Sequence, residues 1–99
     1  MRFSWDAGKS DANLRERGFD FEFASLVFEG PTVVAQDTRR DYGERRYVAI
    51  GVADGVVLTV VYTDRVDSDK EINRRIISVR QANRRERRVH DQTLHQTSE

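Results

Sequence analysis

The sequence predicts an α+β fold, in which helices near both ends of the chain accompany a mainly antiparallel sheet of four to five strands. Three observations predict it. Between Thr32 and Val79 the chain is dominated by short β-branched runs, broken at Asp54–Gly55 by a two-residue hairpin signal. Before them, Asp6 and Asp20 stand where helix N-caps belong, and Gly18 and Gly30–Pro31 stand where helices stop. After them, an isoleucine-rich segment passes into an arginine-dense run with no Gly or Pro break. The expected order is β-α-α-β-β-β-β-α.

Each element has its own justification. Arg2–Trp5 is short, apolar and aromatic, which fits an edge strand. Asp6 caps a helix running to Arg17, with thin apolar content at Ala7, Ala12 and Leu14. Asp20 caps a second helix reaching Glu29; Phe19 and Ala24 stand in the staple relation, and Phe23, Leu26 and Val27 are expected to face the core with Phe28 beside them. Thr32–Asp37 is a short strand, and Thr38–Gly43 a polar connection. Glu44–Ala53 alternates, with Arg46, Val48, Ile50 and Val52 on one face. Val56–Thr63 is nearly continuous in β-branched residues, as in a central strand. Asp64–Glu71 is charged and turn-like, Ile72–Val79 is the last strand, and Gln81–Leu94 the closing helix. Helices from both ends are expected to cover one sheet face and leave the other open. The domain is expected to span 1–94, with 95–99 a frayed tail.

Composition narrows the function classes. With no cysteine there is no disulfide framework, thiol nucleophile or zinc–thiolate site. No apolar run is long enough to span a membrane and no signal-peptide pattern opens the chain, so a cytoplasmic location is expected. Net charge is zero but unevenly spread: residues 1–64 carry eight Lys/Arg and eleven Asp/Glu, residues 65–99 nine and six. Between Ile72 and His90 seven arginines accompany one acid, Glu86. Arginine presents a fixed fork of donors that matches phosphate. The run therefore fits an RNA or DNA backbone; it also fits a solvated basic helix or a docking face for an acidic protein.

Several blocks along residues 3–91 carry a resemblance. They are Phe3, Trp5–Asp6, Lys9, Asn13 and Gly18; Phe21–Glu22, Ala24, Val27–Phe28 and Pro31; Glu44, Arg46 and Gly51; Val60–Val61–Tyr62–Thr63 and Arg65; and Arg75–Ile76–Ile77–Ser78, Arg80, Ala82 and Arg84–Arg85–Glu86–Arg87–Arg88. In this order and spacing the chain resembles the BrnT toxins of bacterial type II toxin–antitoxin pairs. The resemblance implies a RelE-like fold, a ribonuclease activity that blocks translation, and a hetero-oligomer with a BrnA-type antitoxin. The chain departs from the usual pattern at Glu16–Arg17 (Lys-His), Phe23 (Glu), Val79 (Ala) and His90 (an aromatic).

Cleavage of RNA from its 2′-hydroxyl needs a base, a cation for the phosphorane and an acid for the leaving oxygen. RelE-like nucleases typically do this without metal, so the resemblance implies a metal-independent endoribonuclease. Arg65 and Arg80 are the candidate catalytic cations, each with a surface ion pair as its plainer reading. His90 has an intrinsic acidity suited to proton transfer near neutral pH; its plainer reading is an exposed helix histidine. Lys9, Arg46, Arg75, Arg84, Arg85 and Arg88 are candidate RNA-phosphate contacts. Asp6, Asn13 and Glu86 are candidate structural or orienting residues: a cap, a backbone bond to the following turn, and a partner for a nearby guanidinium. The scattered acids present no metal-ligand spacing, and no cofactor is expected. The alternative function is a catalytically weak homologue, acting as a protein- or nucleic-acid-binding regulator together with the antitoxin.

Overall fold

A computed structural model describes the backbone of residues 1–97 and the side chains through Leu94. The elements are β1 Arg2–Trp5, α1 Ala7–Arg17, α2 Phe21–Ser25, a 3-10 turn Leu26–Glu29, β2 Val33–Asp37, β3 Arg46–Ala53, β4 Val56–Val66, β5 Ile72–Gln81 and α3 Arg84–Thr97. This is the predicted α+β order. The five strands form one sheet, ordered β1-β5-β4-β3-β2. β2 through β5 are antiparallel neighbours, and β1 joins the edge of β5 in parallel. The sheet is therefore mixed, and mostly antiparallel.

Local chemistry sets the element ends. The Asp6 carboxylate accepts from the Lys9 N–H at 2.9 Å, and Gly18 stops α1 with φ 89°. Asp20 accepts from the Phe23 N–H at 2.8 Å. Asp54 (φ 46°) and Gly55 (φ 80°) are both left-handed, as a type I′ turn between β3 and β4 requires.

The second helix differs from expectation. It is α-helical only to Ser25 and then tightens. The Ser25 hydroxyl donates to the Glu22 carbonyl at 2.6 Å, taking part of that group's acceptor capacity, and the Leu26 N–H reaches the carbonyl three residues back. At three residues per turn, Phe21, Ala24 and Val27 align and become the buried stripe. Phe23 is displaced to the core margin, where it stacks on Phe19 at 6.3 Å, and Leu26 is exposed.

That stripe packs on Ala53, Leu58, Val60, Ile76 and Val79 to make the core. Full burial of residues such as Phe21, Leu58 and Ile76 stabilises by about 1.5–3 kcal/mol each. Gly51 sits beneath the 3-10 turn, and a Cβ there would lie 3.0 Å from both Val27 Cβ and Thr32 Cγ2.

The expectation that all helices share one sheet face is corrected. Gly51 and Leu58 face α2, whereas their neighbours Val52 and Val57 face the other way and lie beside His90 and Leu94 of α3. α3 thus covers one end of the opposite face. The N-terminal helices already fill the first face with aromatic residues, so the narrow apolar stripe of α3 has its unfilled surface on the second.

α3 also starts later than predicted, at Arg84. β5 continues through Arg80 and Gln81, paired to Thr59 and Leu58. Asn83 Oδ1 accepts from the Glu86 N–H (2.8 Å) and Glu86 Oε1 accepts from the Asn83 N–H (2.9 Å), a reciprocal capping box. β4 runs on to Val66, against the expected end at Thr63, because β5 supplies partners as far as Ile72. The helix continues to Thr97; Ser98 and Glu99, the end of the tail expected to fray, lie outside the described residues.

Candidate active site

The part of the second face that α3 leaves open is a polar floor between basic walls. Val48, Val61, Thr59 and Ser78 are register neighbours on β3, β4 and β5 and form the floor of a cleft of about 480 Å³. Arg80 rises at the β5 end of that floor, and Arg39 enters from the loop after β2. Arg17 closes the remaining side. A second cleft of about 410 Å³ shares Arg17 and Ser78 and adds Lys9, Asn13 and Arg46. The two clefts together carry five cations against three carboxylates, Glu16, Asp37 and Glu86. In a chain of zero net charge, this is a built concentration of positive potential.

Three local devices place these groups. β1 ends at Trp5, opposite Ile76, so β5 has a free edge beyond that point. α1 lies along it, and Arg17 donates to the Val79 carbonyl at 2.7 Å. Lys9, Asn13 and Arg17, spaced by four, fall on one helix face, the face that borders the second cleft. Asn13 donates to the Phe19 carbonyl at 2.7 Å and fastens α1 to the turn before α2.

The capping box delivers Glu86 to Arg80. The guanidinium donates to both Glu86 oxygens, at 2.6 and 2.8 Å. That pairing, with the Asn83 N–H, lowers the Glu86 carboxyl to about 2 against the opposing pull of burial. Glu86 is therefore ionised at neutral pH and orients Arg80, which it holds more firmly protonated.

The third device is Asp37, the last residue of β2, its side chain only 2 % exposed. It accepts from Arg39 Nε and NH2, each at 2.9 Å, from the Arg39 backbone N–H, and from the Tyr42 hydroxyl at 3.1 Å. These bonds hold its carboxyl far below the usual carboxylate range, against the opposing pull of burial. Arg46, on β3 opposite Asp37, lies over the Tyr42 ring at 4.2 Å.

The remaining predicted residues lie elsewhere. Arg65 is exposed near the end of β4 and pairs with Glu44, which also binds Arg46, each at 3.2 Å. Burial would raise the Glu44 carboxyl, but Arg65 and Arg46 outweigh it and hold it below its ordinary value. Arg75 sits mid-strand between Ser4 and Thr63, outside both clefts. Arg84, Arg85 and Arg88 are exposed on α3. His90 is 5 % exposed, one turn after Glu86, and its Nε2 is buried without a hydrogen-bond partner. It lines a separate cleft beneath α3 with Val52, Val57 and Arg87. Asp6 makes its cap bond to Lys9.

Arg17, Arg39, Asp37 and Ser78 are cleft residues that sequence reasoning did not select. Arg17 had two signals, its place immediately before the helix-ending glycine and its departure, with Glu16, from the Lys-His usual there. Arg39 and Asp37 had none, since their positions depend on pairing β2 to β3. Among the described residues no group of three or more His, Asp or Glu side chains is arranged to hold a metal ion. No described helix is long and apolar enough to cross a membrane.

The family model described as the ribonuclease toxin BrnT of type II toxin–antitoxin systems matches residues 5–86. The chain belongs to the BrnT family. The match takes in every named residue of the two clefts that share Arg17 and Ser78, from Lys9 to Glu86, and stops before His90. The comparison with curated proteins gives no match. BrnT membership makes this chain a toxin of the ribonuclease type, with RNA as its substrate class and a protein antitoxin as its partner.

Proposed function

We propose that this BrnT chain is a metal-independent endoribonuclease that cuts RNA on the open sheet face, acts in the cytoplasm and blocks translation there. The observation that carries the reading is the cleft in which Arg17, Arg39 and Arg80 converge over hydroxyl-bearing Thr59 and Ser78. A 2′-oxygen attacks the adjacent phosphorus, the bond from phosphorus to the 5′-oxygen breaks, and charge accumulates on the non-bridging oxygens. Arg80, oriented by Glu86, is the cation that meets this charge. Lys9 and Arg46 guide the flanking backbone through the second cleft. Arg75 and the exposed arginines Arg84, Arg85 and Arg88 contribute longer-range attraction, and Arg65 steers from beyond Glu44. Proton transfer falls to His90, which lies one turn after Glu86 on the same helix.

The partner in this reading is a BrnA-type antitoxin whose acidic segment covers the same face. Incubating the purified chain with RNA in EDTA tests the chemistry: cleavage is expected, and a strict requirement for added Mg²⁺ or Mn²⁺ overturns the metal-independent mechanism.

One observation favours a second reading. His90 is buried beneath α3 and lines a different cleft from Arg80. Glu86, held near 2, is a weak base. On this reading the chain binds RNA or antitoxin as a regulator and cleaves poorly. Salt-dependent RNA binding without cleavage, with or without metal, would support it.

A further inference from the structure

The Arg80–Glu86 pair has a counterpart across the cleft. Arg39 is held by Asp37 as Arg80 is held by Glu86, in a two-bond carboxylate fork. The two pairs come from different elements, the β2–β3 loop and the β5–α3 junction, and both line the 480 Å³ cleft. Arg39 stands close enough for its charge to act on Arg80. Each charge is balanced by its own carboxylate, and a phosphate placed between the two guanidinium groups would be attracted by both.

Neither guanidinium is used up by its carboxylate. A guanidinium has five N–H donors. Arg39 commits Nε and NH2 to Asp37, leaving NH1 uncommitted, and its side chain is 75 % exposed. Arg80 commits NH1 and NH2, leaving Nε, and is 47 % exposed. Asp37, by contrast, is buried and saturated with donors, so it serves to fix Arg39 and not to compete for ligand.

We propose that Arg39 and Arg80 form a two-jawed clamp for a single RNA phosphate, with Asp37 and Glu86 as the positioning residues of the two jaws and the Ser78 and Thr59 hydroxyls beneath. This rests on the open sheet face being the RNA site, and it adds to that reading a second phosphate-binding arginine and the residue that positions it. Such a clamp selects a single-stranded phosphodiester that can be drawn into the cleft; a duplex, with its backbone held on a stiff rod, meets only the rim.

The test measures binding of a non-cleavable 2′-O-methyl single-stranded oligonucleotide by fluorescence anisotropy across a salt series. Each single-strand phosphate contact contributes about 0.7 to the slope of log affinity against log salt. Arg39→Gln is therefore expected to lower that slope by about 0.7, which is about fivefold in affinity between 1 M and 0.1 M salt. Arg80→Ala should show the same loss. The two substitutions combined should lower the slope by no more than about 0.7, because one phosphate is shared; additive losses would overturn the clamp in favour of two separate contacts. Arg15→Ala, exposed on α1 away from the clefts, should match the parent. Because Arg39→Gln leaves the buried Asp37 carboxylate short of donors, the double variant Asp37→Asn with Arg39→Gln gives the reading if the single variant fails to fold. A parental slope in the Arg39 variants alongside a reduced slope in Arg80→Ala overturns the clamp and leaves the open-face site standing. A parental slope in both removes the open face as the RNA site, and the clamp with it.

Discussion

At the scale of single residues, carboxylates decide what the arginines can do. Arg80 is expected to behave as a functional cation and not as a stabilising one. Its pair with Glu86 is partly exposed, and such pairs contribute at most about 1 kcal/mol. Loss of one transition-state donor or cation costs about 10²–10³-fold in rate. Arg80→Ala should therefore lose cleavage by that factor while its thermal midpoint stays near the parent's; equal activity would assign Arg80 to the surface charges. Glu86 carries a separate pH signature. Its folded carboxyl sits at about 2, below the ordinary 4.5. A depressed carboxylate contributes stability that is fully present above the unfolded value and lost as pH falls towards the folded one. Stability should thus decline between pH 4.5 and 2, with Asp37 adding to the decline from its own depressed value. Glu86→Gln should flatten that part of the stability–pH curve followed by urea unfolding, and an unchanged curve would show that the pair is not coupled to folding.

At the scale of elements, close approach and capping are the sensitive points. The 3-10 turn rests on Gly51, where a methyl group would press on Val27 Cβ and Thr32 Cγ2 at 3.0 Å. Gly51→Ala should cost about 1–3 kcal/mol of unfolding free energy, as overpacking does; a neutral result would mean that the turn moves away freely. α3 is held by a narrow inward stripe of Glu86, His90, Thr93 and Leu94, with the largely exposed Arg84, Arg87 and Arg88 at the margin of the cleft beneath it. Removing the Asn83 side chain in Asn83→Ala takes away one half of the capping box and should cost about 1 kcal/mol, felt mainly in α3. Hydrogen exchange reads this directly: α3 amides should exchange faster in the variant while those of β4 stay protected. Uniform acceleration across the sheet would show that α3 unfolds only with the whole domain.

At the scale of the whole molecule, a neutral chain gathers five cations around two clefts that share Arg17 and Ser78. An acidic antitoxin segment is drawn to such a cluster over roughly a Debye length, about 10 Å at 0.1 M salt. Association with the antitoxin should be fast and should slow as salt rises. Paired alanine replacements among Arg84, Arg85, Arg87 and Arg88, all exposed on α3, should slow association more than they speed dissociation. Association rates that do not vary over a tenfold salt range would point instead to an apolar interface, such as the Leu14, Phe19 and Phe23 surface between α1 and α2.

Local chemistry is what the sequence by itself determined. The caps at Asp6 and Asp20, the stop at Gly18, the Asp54–Gly55 turn and the β-branched strands depend on neighbours within a few residues, and they stand as read. The family was legible too, because its motif blocks are patterns along the chain. One local signal was overlooked: the Asn83 to Glu86 spacing is a capping box, and it moves the start of α3 to Arg84. Only the tertiary structure decided which charges meet. The pairing of β2 with β3 brings Asp37 and Arg39 to the cleft, and the β5 edge calls Arg17 to a strand carbonyl. Packing on the second sheet face buries His90, which the chain alone left on an open helix. The reason is physical: a cap or a turn is a short-range contact specified by adjacent residues, whereas a cleft is a long-range coincidence of side chains, fixed only when the core chooses which face of the sheet each helix covers.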